Sequence, residues 1–219
     1  MTAETLRRSP LGHLADVLAA HSSTGERGVG LREIPFLAQL DLQLQSHGPA
    51  AQRIGRALGA PLPAAPNTVA VAGERRVLWL GPEQWLVVGP DGSAPATAAM
   101  LRAALEEEPG SVVDVSANRT TLELSGPAAR GVLEKGCALD LHPRAFPPGR
   151  CAQTLVSKVN VVLHRVGPEP TYRLLVRGSF AQYLADWLLD AMEEYRHPRL
   201  TPDWPVPVRH GDVGTGPSR

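Results

Sequence analysis

Apolar and polar residues alternate between positions 36 and 45: Phe36, Ala38, Leu40, Leu42 and Leu44 interleave with Gln39, Asp41, Gln43 and Gln45. A period of two marks a half-buried strand. The run enters Gly48-Pro49-Ala50-Ala51, after which Ile54 and Leu58 fall at helical spacing. Pro49 suits the first helical position, where its missing N–H has no partner to lose. The same passage recurs as Leu122 and Leu124, then Gly126-Pro127-Ala128-Ala129, then Val132 and Leu133. The elements after each copy also match. Val77, Trp79, Gly81-Pro82-Glu83 and Leu86-Val87-Val88 answer Val161, Leu163, Gly167-Pro168-Glu169 and Leu174-Leu175-Val176. An added strand precedes each hairpin, over 68–71 and 151–156. A helix closes each unit: 95–108 in the first, and in the second the stripe Phe180, Leu184, Trp187, Leu188 and Ala191. That spacing places all five on one buried face. Ser179 and Gln182 stand at the interval of a capping box.

The pattern predicts an α+β fold made of two pseudo-repeated β-α-β-β-β-α halves, about 34–109 and 110–195, packed as one body over 34–195. Each half leaves an apolar face that its twin covers. Residues 1–33 read as an N-terminal arm with a short helix, from Leu11, Leu14, Val17 and Leu18 after Pro10, and with a flexible link over 22–30. Residues 196–219 read as a flexible Pro/Gly-rich tail carrying Trp204.

Composition narrows the class. The chain has 219 residues and is 43% hydrophobic, enough to build a core, which excludes a fully disordered chain. Lys and Arg total 22 against 22 Asp and Glu. That balance argues against a nucleic-acid binder. No apolar run reaches the ~18–20 residues of a membrane span. No secretory leader is read at the N-terminus, where His13 and Asp16 interrupt the apolar stretch after Arg7 and Arg8, so the expected location is cytoplasmic. Cys137 and Cys151 are then expected as reduced, buried thiols.

The residues do not spell out a self-sufficient active site. There is no HExxH, no zinc spacing of Cys and His, no GxGxxG or P-loop, and no GxSxG elbow. Ser116 and Ser125 flank a strand with no evident His and Asp partners. His142 sits in a loop without a second ligand. His164 ends an apolar strand and reads as structural or surface. Cys151 has Arg150 beside it, and Glu106-Glu107-Glu108 reads as a solvated helix tip. Asp114 is the most suggestive group, closing the strand Val112-Val113 ahead of Ser116 and Asn118, although turn chemistry explains those residues too. No catalytic, cofactor-binding or metal residue is assigned. Trp79, Trp85, Phe146 and Trp204 are candidate interface anchors, with a core role equally open for Trp79 and Trp85. The Pro-rich loop between Arg144 and Arg150 reads either as part of that surface or as a rigid connector.

Longer strings add a resemblance. Residues 114–130, then Lys135-Gly136-Cys137-Ala138-Leu139-Asp140-Leu141-His142-Pro143, Ala152-Gln153-Thr154-Leu155, Val161-Val162-Leu163-His164-Arg165, and Tyr172-Arg173-Leu174-Leu175-Val176-Arg177 with Ser179-Phe180 and Trp187-Leu188, resemble the gamma subunit of heterotetrameric sarcosine oxidase. Weaker echoes are Ser9-Pro10-Leu11 and residues 79–86. That subunit is similar to the folate-binding domain of the glycine-cleavage aminomethyltransferase, itself built of two related halves. The resemblance implies a non-catalytic assembly subunit of a cytoplasmic enzyme that oxidises sarcosine to glycine, yielding hydrogen peroxide and a folate-linked one-carbon product. It implies the alpha subunit as direct partner, with beta and delta in the complex. It places FAD, FMN, NAD, tetrahydrofolate and zinc on the other chains and none on this one. The aminomethyltransferase pattern has a catalytic aspartate just after the strand matching Val161-Val162, where this chain has Leu163-His164-Arg165. The competing reading is a stand-alone folate-binding one-carbon transfer protein, with Asp114 as the carboxylate.

Overall fold

A computed structural model describes residues 7–196. The tail, including Trp204, lies outside the described residues. All strand pairs are antiparallel and form two five-stranded sheets. The strands are β1 (Gly30–Ile34), β2 (Ala38–Leu44), β3 (Val69–Ala72), β4 (Arg75–Gly81), β5 (Gln84–Gly89), β6 (Gly110–Asp114), β7 (Arg119–Ser125), β8 (Cys151–Val156), β9 (Val159–Arg165) and β10 (Thr171–Arg177). The helices are α1 (Ala15–Ala20), α2 (Pro49–Leu58), α3 (Ala94–Leu105), α4 (Ala129–Glu134) and α5 (Gly178–Met192). One sheet runs β3-β4-β5-β2-β6, the other β1-β7-β10-β9-β8.

The period-two alternation divides each sheet into two apolar faces. Leu40, Leu42, Val77, Trp85 and Val87 pack against α2 and α3 through Ile54, Leu58, Ala98 and Leu101. Leu122, Leu124, Val161, Leu163 and Leu174 pack against α4 and α5 through Val132, Leu133, Leu184 and Leu188. Between the sheets, Leu78, Leu86 and Val88 meet Cys151, Val162 and Leu175. The layers are therefore helix, sheet, sheet, helix.

Each unit carries one more strand than the alternation gives, and the added strands are exchanged. β1 pairs with β7, while β6 pairs with β2. Both strands are short and sit at sheet edges, so their alternation is weak. The predicted strand from Phe36 begins at Ala38 instead. Phe36 has φ 61° and turns the chain from β1 into β2, with the Arg7 guanidinium 4.1 Å from its ring centroid. The link over 22–30 is tied down: Ser23 N–H donates to Val29 O at 2.9 Å, and Val29 N–H to Ser23 Oγ at 3.2 Å. The arm belongs to the same body, since Leu11 and Leu18 are buried in the β1/β7 sheet's core.

Helix ends depart from expectation in instructive ways. Pro49 does open α2, and Gly59 closes it in the left-handed region at φ 84°. Ser179 makes no cap; Arg177 holds the N-cap position of α5 and no side chain caps it. The Glu106–Glu108 tip is not merely solvated. Arg53 from α2 donates to Ala104 O at 2.8 Å and Leu105 O at 3.1 Å, and pairs with Glu106 and Glu108. A guanidinium at a helix C-terminus satisfies orphan carbonyls and offsets carboxylates that the dipole disfavours.

On α5, Leu184, Leu188 and Ala191 are buried, whereas Phe180 is 49% exposed and Trp187 is half-buried. Trp187 lies over the backbone at Gly136, where an added Cβ would sit 2.4 Å from Cζ2 of the ring. Gly136→Ala is expected to cost about 1–3 kcal/mol by overpacking. Thermal unfolding checks it, and Trp187→Leu in the same background should recover part of the loss.

Candidate functional site

The two sheets do not cover each other completely, and the polar residues of their facing sides lie in ordered cross-strand rows. Residues of alternate positions share a face, so the register of β1, β7, β10, β9 and β8 assembles the row Arg32, Glu123, Arg173, His164 and Cys151. The next row holds Thr121, Leu175, Val162 and Gln153. Beyond it, Arg119 stands opposite Arg177 on β7 and β10, and Asn160 opposite Leu155 on β9 and β8.

The first row is an ion-paired belt. Arg32 Nη2 donates to Glu123 Oε1 at 2.5 Å, and Arg173 Nε to Oε2 at 2.9 Å. Burial pushes the Glu123 carboxyl up, but the hydrogen bonds and charges of Arg173 and Arg32 outweigh it and hold the group below its ordinary value. His164 is 4% exposed. Burial, with the Arg173 and Arg76 charges, lowers its pKa to about 4, so the imidazole is neutral at pH 7. At the end of the row Cys151 is fully buried, its Sγ 3.4 Å from Trp79 O and 3.5 Å from Thr68 O. Burial pushes the thiol up to about 11, which outweighs the neighbouring Arg150 and makes it a poor nucleophile.

Asp114 does not join that belt. Its Oδ1 accepts from Ser116 N–H at 2.9 Å and from Ser116 Oγ–H at 2.5 Å, a local turn at the end of β6. Ser116 Oγ in turn accepts from Gln39 N–H at 2.9 Å, fixing β2 to this turn. Asp114 and Ser116 border a cavity of about 520 Å³ with Arg8, Phe36 and Arg119. Ser125 ends β7 at the far end of the strand, so the structure does not bring it to Ser116. His142 is engaged in its own loop: its N–H donates to Asp140 Oδ1 at 2.9 Å, and Nδ1 accepts from Arg144 N–H at 3.3 Å.

Trp85 and Phe146 are core residues, 1% and 6% exposed, and Trp79 packs half-buried against the core over α2 and α3. Arg165, buried behind the Pro-rich loop, donates to Phe146 O at 2.7 Å, which makes that loop a pinned connector. The sequence reading missed Glu123, Arg173, Arg119 and Arg177. The available signal was charge at alternate positions inside apolar strands, as in Leu122-Glu123-Leu124 and Arg173-Leu174-Leu175-Val176-Arg177. Among the described residues, no three His, Cys, Asp or Glu cluster in a way that holds a metal ion, and no helix is long and apolar enough to cross a membrane.

Three comparisons bear on this arrangement. The model of the "Sarcosine oxidase, gamma subunit family" matches residues 45–194. Sarcosine oxidase subunit gamma from Corynebacterium sp. (strain U-96) is 44% identical over 192 residues, 87% of this chain and 92% of that protein. The Arthrobacter sp. subunit of the same name is 45% identical over 197 residues, 90% and 95% of the two chains. Among solved structures, a chain of the heterotetrameric sarcosine oxidase from Corynebacterium sp. U-96, in complex with pyrrole 2-carboxylate, superposes with TM-score 0.83 at 42% identity, covering 89% of this chain and 99% of that one. Glycine cleavage system aminomethyltransferase T from Bartonella henselae shares the fold at TM-score 0.62 and 18% identity, over 84% of this chain and 57% of that one. Identity at this level, spread along nearly the whole of those subunits, places the chain in the sarcosine oxidase gamma subunit family.

Proposed function

We propose that this chain is a non-catalytic assembly subunit of a heterotetrameric sarcosine oxidase, which demethylates sarcosine oxidatively to glycine with hydrogen peroxide and a folate-linked one-carbon product. The alpha subunit is its direct partner, and beta and delta complete the complex. FAD, FMN, NAD, tetrahydrofolate and zinc belong to the other chains in this reading. The complex works in the cytoplasm.

The observation that carries the non-catalytic half is His164. Where the resemblance to aminomethyltransferase calls for a carboxylate, this chain has Leu163-His164-Arg165, and the titratable imidazole among them is buried beside Arg173 and Arg76 with its pKa lowered to about 4. A neutral ring among guanidiniums does not take over the role of an anion that orients or accepts a proton from an amine. The nearby carboxylates are already engaged: Glu123 by two arginines, Asp114 by Ser116, and Asp41 by Gln43 and Gln84. These engagements support the reading that the chain holds no folate-processing centre of its own.

Co-expression with the remaining oxidase subunits tests this reading. The chain is expected to co-elute with the flavin-bearing subunits, and their complex is expected to lose integrity without it. Purified alone, it should neither oxidise sarcosine nor bind tetrahydrofolate at micromolar concentration. Tetrahydrofolate binding that Asp114→Ala abolishes would favour a stand-alone one-carbon enzyme and overturn the proposal.

A further inference from the structure

Beyond the contact between the sheets, the inner face of the β1/β7 sheet opens into a cleft of about 360 Å³. Its floor includes Arg119, Arg177 and Asn160, and Lys158 stands at its edge on the β8–β9 turn. No Asp or Glu lines it. Arg119 and Arg177 are directly opposed across β7 and β10, an arrangement of like charges that destabilises a strand pair. Among the described residues, none of the three cations forms an ion pair. Asp41, the carboxylate that acts on Arg119 through space, is held instead by the Gln43 and Gln84 amides. The contrast with the other end of the same sheet is informative. There two arginines flank Glu123 and are neutralised; here two arginines face each other with no carboxylate between them.

The surroundings point to a protein rather than a free anion. Of the large apolar side chains exposed on the described surface, three gather here. Phe180 lines the cleft and is 49% exposed, Tyr183 lies one turn further along α5 at 44%, and Leu155 lies across from Asn160 at 49%. Exposed aromatic side chains beside arginines are the residue types enriched at subunit contacts.

We propose that this cleft seats a segment of another oxidase subunit that carries an Asp or Glu side chain flanked by apolar residues. The carboxylate bridges Arg119 and Arg177, and the apolar residues cover Phe180, Tyr183 and Leu155. The segment supplies the anion that the Arg119/Arg177 pair lacks within its own chain. This rests on the assembly reading above, and it adds where the contact lies and what chemistry meets it.

The test uses the assembled complex. A zero-length carbodiimide reagent joins an amine to a carboxylate in contact, and Lys158 is the amine at the cleft edge. Peptide mapping should recover Lys158 joined to an Asp or Glu of another subunit. Lys158→Arg, which keeps the charge but not the reactive amine, should remove that conjugate. Arg119→Glu with Arg177→Glu should lower the fraction of this chain that co-elutes by at least tenfold, with unchanged circular dichroism. Arg177→Gln, a milder change, should weaken assembly several-fold at low salt, and its gap to wild type should narrow at high salt, where the lost attraction is already screened. A wild-type complex whose Lys158 conjugates only within its own chain overturns the proposal. So does a folded double variant, or a folded Arg177→Gln chain, that assembles as well as wild type. A wild-type chain that elutes without any other subunit overturns the assembly reading and, with it, the occupant named here.

Discussion

Replacing Trp85 with alanine is expected to cost about 3–5 kcal/mol, the range for emptying a large aromatic site in a packed core. Trp85 is 1% exposed near the start of β5, where it stands opposite Leu42 of β2 and Trp79 of β4. It fills the space beneath α2 and α3, and its indole Nε1–H donates to Pro63 O at 2.9 Å in a buried setting. Two losses combine on truncation: a cavity that the flanking strands cannot close, and a buried carbonyl left without its donor. Trp85→Phe separates them, because it keeps most of the apolar volume and removes only the N–H. It should cost about 1–3 kcal/mol, the penalty for the unpaired acceptor with a modest packing term. Denaturant unfolding of the purified chain reads both values. A loss below about 1 kcal/mol for Trp85→Ala would mean that the ring is not the keystone of this layer.

The residues that announced themselves in the sequence are those whose periodicity is strong. The β2 alternation, the GPAA entries and the paired hairpins gave the repeated order of elements, because period two and period 3.6 each leave a long signature. The exchange of β1 and β6 stayed hidden. A five-residue edge strand such as Gly30–Ile34 carries one buried residue, Leu31, and three half-exposed ones, too little for alternation to show. The site was hidden for a different reason. Asp114 looked suggestive because it follows an apolar run, yet its carboxyl closes a local turn. Glu123 looked ordinary, yet register places it between Arg32 and Arg173 from strands far away in sequence. Which charges face one another is set by strand order, and strand order here depends on the exchange that the pattern could not give. Trp187 and Phe180 make the same point on α5: the stripe is real, but the helix outruns the sheet beneath it at its first turn and along one edge.

His164 makes the stability of the fold depend on pH in a defined window. Its ordinary pKa of 6.5 falls to about 4 in the folded chain, chiefly through burial and then through the charges of Arg173 and Arg76. The unfolded chain therefore binds a proton between pH 6.5 and 4 that the folded chain refuses, and stability falls as the pH drops through that interval. Above pH 6.5 both states are neutral and the term vanishes. Between pH 6.5 and 5 the loss amounts to about 2 kcal/mol, from 1.36 kcal/mol per unit. Glu123 acts lower on the scale: its folded value lies below the ordinary 4.5, so its contribution is present above that value and lost as the pH falls further. The two are separable on that basis. Unfolding free energies of the wild-type chain should slope downward from pH 6.5 to 5, and those of His164→Gln should be flat there while still declining below pH 4.5. A wild-type profile as flat as the variant's would show that the imidazole is solvated and free to take its proton. That would remove the ground for reading His164 as a permanently neutral group, because a ring that charges near neutrality could serve as a general acid or base.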